Sequence, residues 1–528
     1  MSQKTLKQNW KLASRSFAAW ILFISLVGCG KPPKPNDDSG VADPAKDKIA
    51  KYFLDREVSE VSVKKIEAFC GDCHGMPRVA SFPITHWRKE VERGFEFYNM
   101  SGRSDLAPPN LYDTIAYFTQ KAESEETFFE KVNAVAASQE LKKIFTVDPT
   151  DQKEDSGIAN ILFTDIRSGD NSSKVFLTSD MVSGKVRIAH PDSATPQKEL
   201  LTGKAPVNAT VCDIDQDGNT DVIVSDLGMY KATDSTRGSI TLLHAKDDGF
   251  EKVVLRENIG RVCQTVVADF DNDGKSDILV GEFGYFFNGC ISLMRRTGDG
   301  FQKSNFTTEV IDRRHGVVRI VPHDFDQDGD IDFAAAIAQE FETVEIFIND
   351  GNGNFTRNKI FQADFPSYGT SGIVLIDLDK DGDQDVLYTN GDTFDSSLPK
   401  DYHSIQWLEN QSSADRSEIK FQHHHITHMP GVHCAKAADF DQDGDLDIVA
   451  CAFMQPIAEA KNYDSIVYLE NNGGQHFSKY SIEKNNSLYP NLEIGDFDEN
   501  GKTDFVVGTA SMIAPSKKQQ PLKIYWNK

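Results

Sequence analysis

Cys70-Gly71-Asp72-Cys73-His74 sets two thiols three residues apart, with an imidazole directly after the second. That spacing lets the thiols form thioethers to the two vinyl groups of a haem while the histidine lands on its iron as an axial ligand. A bare CxxC pair also serves zinc or dithiol redox chemistry. Zinc would need two further ligands, and the remaining cysteines lie far off in a region of different pattern. Covalent haem is therefore the expected cofactor, and single-electron transfer the chemistry it brings.

A second chemistry recurs along most of the chain. Asp213, Asp215, Asp217, Asn219 and Asp221 alternate along one loop, with Gly218 at its sixth position. The pattern returns as Asp269, Asp271, Asp273, Lys275 and Asp277, then as Asp324, Asp326, Asp328, Asp330 and Asp332. It continues as Asp377, Asp379, Asp381, Asp383 and Asp385, as Asp439, Asp441, Asp443, Asp445 and Asp447, and as Asp496, Asp498, Asn500, Lys502 and Asp504. Calcium prefers six to eight hard oxygens, here carboxylates at positions 1, 3, 5 and 9 and a carbonyl at 7. Carboxylates crowded this closely repel one another without a cation. Up to six structural Ca2+ ions are expected, with acidic surface turns as the plainer alternative. Asn500 makes the sixth loop the weakest.

These residues need elements to hold them. Copies start 53 to 62 residues apart, and Asp165 to Ser173 is an eroded relative upstream of the first. Apolar runs such as Val317 to Val321 precede the loops, and runs such as Val222-Ile223-Val224 follow them. Four short strands per unit, seven times over, predict a seven-bladed all-β propeller across 139–528. The repeat resembles the FG-GAP/VCBS type of the integrin α N-terminal propeller. EF-hands share the loop core but need flanking helices and a glutamate at position 12, where the first loop has Val224. The last blade lacks a fourth strand, and residues 140–149, around Leu141 to Val147, are expected to supply it and remove an exposed edge.

Ahead of the ring, residues 49–138 carry helical periodicity: one helix into the cysteine motif, one over His86 to Tyr98, one over Leu111 to Lys121 capped by Asn110, and one from Glu126. This arrangement resembles a small all-α c-type cytochrome domain, giving a multidomain chain. The resemblance implies a methionine sixth ligand ahead of the closing helix, where Met100 stands. His86 or an open position are the alternatives, and Met76 is too near His74 to reach the opposite face.

The N-terminus reads as an address. Lys4, Lys7, Lys11 and Arg15 precede the apolar run Phe17 to Val27, too short to span a bilayer as a helix. Leu26-Val27-Gly28-Cys29 resembles a bacterial lipoprotein lipobox, which implies lipidation of Cys29 after removal of residues 1–28. A plain secretory signal is the alternative. Gly30 is compatible with an outer-membrane address, on the periplasmic or surface side. Residues 29–48, rich in Pro, Gly, Asp and Lys, read as a flexible tether.

With 56 Lys and Arg against 81 Asp and Glu, the net charge is −25, which disfavours nucleic acid as a partner and favours cations. Cys212, Cys263, Cys290, Cys434 and Cys451 remain, with Cys434 and Cys451 facing each other as a disulfide or as buried thiols. His423-His424-His425 and His428 read as an exposed strand, since adjacent side chains point to opposite faces. His315, Arg319, Arg261 and His433 are candidates for the central channel. No nucleophile elbow, zinc-protease helix or nucleotide loop is present.

The expected function is an envelope-anchored haem protein passing single electrons, with a propeller that binds an envelope redox partner or an extracellular ligand. The alternatives make the propeller an oxidoreductase module that reduces the fused haem, or an adhesion domain with an accessory cytochrome.

Overall fold

The structure is a computed structural model. It describes residues 51–136, 138–140, 144–147, 155–168, 171–193, 198–246, 249–394, 396–413, 416, 418–513 and 519–528. Cys29, the signal region and the tether lie outside the described residues. Among those described, no helix is long and apolar enough to cross a membrane.

Seven antiparallel sheets follow one another around a ring. Their innermost strands touch in sequence, and that of the last blade meets that of the first, so the ring closes. We number the blades I to VII and letter each blade's strands A to D from the centre outwards. Blade III is representative, with strands Val262–Ala268, Asp277–Glu282, Cys290–Arg296 and Phe306–Asp312. Strand B is buried throughout in blades II to VII, because both its faces pack against neighbouring blades. In blade VII, strand D is Phe145–Val147, paired antiparallel with the C-terminal strand Leu522–Asn527. Phe145 is buried there against Phe440, Phe505 and Tyr468. Residues 141–143 and 148–149 of the proposed closing segment lie outside the described residues. Gln139–Glu140 adds a short fifth strand to blade VI, in parallel.

The eroded relative at Asp165 is not a loop. Strands A and B of blade I run through it, pairing Asp165 with Lys174 and Arg167 with Ser172. Without the alternating aspartates there is nothing to hold the chain in a loop, and the hairpin tightens.

Among the described residues, a helical stretch at 51–54 and four longer helices precede the ring: α1 Glu60–Cys70, α2 Trp87–Met100, α3 Leu111–Lys121 and α4 Glu125–Val135. Ser59, Asn110 and Ser124 cap α1, α3 and α4 by accepting backbone N–H groups. The second element starts at Trp87 rather than His86, and the last at Glu125 rather than Glu126. Their apolar faces meet around Ile66, Trp87, Ile115, Phe118, Phe129 and Val132. That core does not end at the helices: Leu398, Met454, Ala460 and Tyr463 of the ring are part of it. Phe53–Lys528 accordingly forms one unit, and the expected free-standing α domain is not a separate body.

Successive strands are antiparallel, so A–B and C–D turns emerge on one face of the ring and B–C and D–A turns on the other. All six aspartate loops are A–B turns. The helices pack on the opposite face.

Candidate functional site

The cysteine motif lies at the C-terminal end of α1 and opens into a cleft of about 360 Å3, within the size range of cofactor pockets. Cys70, Cys73 and His74 all line it, and both thiols are free. Its walls are aromatic, with Phe69, Phe82, Trp87, Phe95, Phe97 and Phe118 among them. Trp87 stacks on Phe118 with ring centroids 4.2 Å apart. Gly94 lines the cleft from the middle of α2, and nothing stands within 4 Å of where its Cβ would be. A mid-helix glycine costs about 1 kcal/mol against alanine, and here it leaves the wall open.

His74 is already oriented. Its Nδ1 lies 2.7 Å from the Gly75 carbonyl; donation of the Nδ1–H leaves the lone pair on Nε2, the nitrogen a metal would take. Burial pushes the Cys70 thiol up to about 12. A dithiol redox pair works through a depressed thiol, so that alternative loses support. Arg103 donates to Cys73 Sγ at 2.8 Å and pairs with Asp72 and Asp105. A guanidinium against the Cys73 sulfur is a poor environment for zinc, and among the described residues no further Cys or His lines the cleft.

Met100 and His86 do not join this group. Met100 is 53 % exposed at the end of α2 and His86 precedes that helix; neither lines the cleft. Nine residues separate Met100 from the buried Val91, half a turn out of phase, so the methionine faces away from the core.

The far wall belongs to the propeller. Phe286 and Phe287, Glu340 and Glu342, Ser367 and Lys400 all line the cleft, every one from a B–C or D–A turn. Phe286 meets Phe97 at 4.1 Å between centroids. Glu342 is buried; it accepts the Thr370 N–H at 2.8 Å, and burial raises it to about 8. Sequence reasoning missed this wall, because nothing local marks the 391–403 turn as reaching the helices.

In the aspartate loops, position 1 accepts the glycine N–H of position 6 in every copy. Position 9 belongs to strand B, where its two oxygens accept backbone N–H groups from position 2 and from strand C, as Asp277 does from Phe270 and Arg296. Burial above all raises Asp277, Asp385 and Asp447 to about 6 and Asp332 to about 7. Within these loops, five buried carboxylate oxygens have no hydrogen-bond partner: Oδ1 of Asp215, Asp271, Asp324, Asp377 and Asp439. Oxygens of Asp324, Asp326 and Asp332 lie within 4.8 Å of one another, as do those of Asp377, Asp379 and Asp385. That donor set fits a hard divalent cation.

Position 7 turns outward. Lys275 pairs with Asp273, Asp330 accepts from Asn272, and Asp383 pairs with Arg416. Position 4 was not foreseen. Gln216, Asn272, Gln327, Lys380, Gln442 and Glu499 all adopt positive φ. Gln216, Lys380 and Gln442 each donate to the glycine carbonyl of the next blade's loop, tying the loops around the ring.

The strand C residue just before the one whose N–H bonds position 9 differs from loop to loop. In blade II it is His244, 3.0 Å from Asp221 and 3.5 Å from Asp215. In blade III it is Arg295, 3.2 Å from Asp271. In blades V and VI it is Glu409 and Glu470, whose charges help raise Asp379 and Asp441.

The remaining candidates are engaged structurally. Arg261 donates to the carbonyls of Met229, Tyr230 and Gly284, His315 pairs with Glu340, and His433 Nδ1 meets the Pro490 carbonyl. Arg319 lies on strand A of blade IV. Cys434 and Cys451 face each other across strands A and B of blade VI as free thiols, and Cys212, Cys263 and Cys290 are free too. His423 and His424 bond Gln406 and Glu409, while His425 lies 3.4 Å from His428.

The fold and loops define a class: a seven-bladed β-propeller carrying FG-GAP-like repeats. The FG-GAP-like repeat family matches residues 269–335, 324–388 and 439–507, which hold five of the six loops whole, all but that of blade II. No curated protein matches the chain. Among solved structures it is similar to the crystal structure of BBS1N in complex with ARL6DN, soaked with mercury, at 10 % identity and a TM-score of 0.40. That match covers 74 % of this chain and 98 % of the other. At that score the likeness has no bearing on function.

Proposed function

We propose that Cys70, Cys73 and His74 hold one covalent haem c, and that the chain is an electron-transfer protein of the bacterial envelope with a calcium-stapled propeller. The observation that carries this reading is the convergence of both free thiols and a pre-oriented imidazole on one aromatic cleft. A haem bound there would supply reversible one-electron chemistry. The chain's own residues do the rest. The thiols fix one edge of the group, His74 presents Nε2, Gly94 leaves room, and the aromatic walls exclude water. Lipidation at Cys29 would hold the protein at a membrane surface.

Calcium at the aspartate loops would satisfy the five orphaned carboxylate oxygens and pin strands A and B together in blades II to VI. One observation also favours the module reading, in which the propeller feeds the haem: its B–C and D–A turns form one wall of the same cleft.

The test is an absorption spectrum of protein matured in a host that attaches haem c. A c-type pyridine haemochrome, lost in the double variant Cys70→Ala/Cys73→Ala, is the expected result. A wild-type protein without it would remove the reading. Substrate-dependent haem reduction would separate the module reading from simple carriage.

A further inference from the structure

The ring sends one buried cation into the helical core. Lys400, on the B–C turn of blade V, is 2 % exposed, yet it lines the cleft. Its Nζ donates to the Ser81 carbonyl at 2.6 Å and sits 4.0 Å from the Phe82 ring centroid and 5.6 Å from that of Phe128. Ser81 is further held by Ser367 and Tyr402 of the ring, so this corner is rigidly built. Among the described residues, Lys400 makes no ion pair; the carboxylates of Glu90, on α2 and lining the same cleft, and of Asp401 act on it only from a distance.

A buried ammonium with no anion in contact costs several kcal/mol, and a leucine would fill the same space at no such cost. One carbonyl and two ring faces offset only part of that. Burial lowers Lys400 to about 7, so an arriving anion would restore its full charge. The other cations of the cleft are taken: Arg103 by Asp72 and Asp105, Arg93 by Glu90. Arg103 also stands on Cys73, at the edge where the thioethers would form.

Haem carries its two carboxylates on the edge opposite its vinyl groups. A cleft that takes the vinyl edge at Cys70 and Cys73 has to meet those carboxylates elsewhere, among aromatic walls. We propose that Lys400 is the counter-ion of a haem propionate, so that the propeller anchors the carboxylate edge of the group whose other edge the helices hold. This rests on the haem reading above. It makes the ring an integral part of the cofactor site, and a positive charge fixed beside the group would favour its reduced form.

The experiment uses the full-length, haem-loaded protein and its variants Lys400→Met, Lys400→Gln and Lys400→Arg. Lys400→Gln keeps a donor for Ser81 and removes only the charge, which covers a failure of the methionine variant to fold. The pyridine haemochrome is recorded first, then the midpoint potential from pH 5 to 9. Loss of the charge lowers the potential in Lys400→Met and Lys400→Gln and makes it pH-dependent as the unpaired propionate takes up a proton on reduction. Lys400→Arg restores the wild-type profile. Haem-loaded charge-loss variants with the wild-type potential and pH profile would overturn the proposal. A wild type lacking covalent haem would instead remove the reading beneath it.

Discussion

A Cβ on Gly75 would stand 2.2 Å from the carbonyl oxygen of Asp364. The residue after His74 is thus pressed against the backbone of the propeller turn between blades IV and V. Neither atom can rotate away, so only glycine fits without shifting one element. Gly75→Ala is expected to lower stability by about 1–3 kcal/mol, seen as a lower melting temperature and faster proteolysis between the helices and the ring. An unchanged melt would mean the motif is not seated on the propeller.

Calcium stoichiometry should fall short of six. In blade III the Arg295 guanidinium lies on Asp271, placing a cation where an ion would sit. Blades V and VI instead add Glu409 and Glu470. Calorimetric titration should find the tightest sites in V and VI, and Arg295→Ala should add a site. Asp439→Asn should remove one, whereas Asp330→Asn, which faces outward, should not. Chelation should cost the ring about 3–4 kcal/mol for each site held near a thousandfold above its dissociation constant.

Ring closure rests on a short strand with one large anchor. Phe145 packs edge-on against Phe440, Phe505 and Tyr468 at centroid distances of 4.9–6.1 Å. Phe145→Ala should cost about 3–5 kcal/mol and be read as a lower denaturation midpoint. A loss under 1 kcal/mol would show that the strand is dispensable.

Glu342 should make stability depend on pH. Burial raises its carboxyl from 4.5 to about 8, so the folded state holds the proton more tightly than the unfolded chain. Its contribution is full below about 4.5 and is lost as pH rises through 8. Glu342→Gln should therefore gain on the wild type steadily across that window in paired melts. A constant difference between the two would contradict this.

Much of this was legible in the sequence because it is local. The loop aspartates, their glycine and the flanking apolar strands are consecutive residues, and their period states the blade number. What escaped depends on distant parts meeting. Lys400 and Glu342 belong to turns with no motif, and only the closed ring brings them to the cysteines. Position 4 carries Gln, Asn, Lys and Glu, so composition hides a left-handed backbone that all six share. Met100 stands before α3, where the resemblance implies a ligand, but helical phase turns it outward from the face that Trp87 and Val91 define. Arg295 and His244 sit on strand C, about 25 residues beyond the loops they reach.

The central claim is that Cys70 and Cys73 carry a haem on the face of the ring opposite the aspartate loops. Intact mass spectrometry of the mature protein, combined with thiol counting under denaturing conditions, tests it most directly. The account predicts a mass gain of one haem that survives denaturation, with Cys70 and Cys73 unreactive and the five propeller cysteines available. A protein of unmodified mass, with the thiols of Cys70 and Cys73 both titrating, would contradict it.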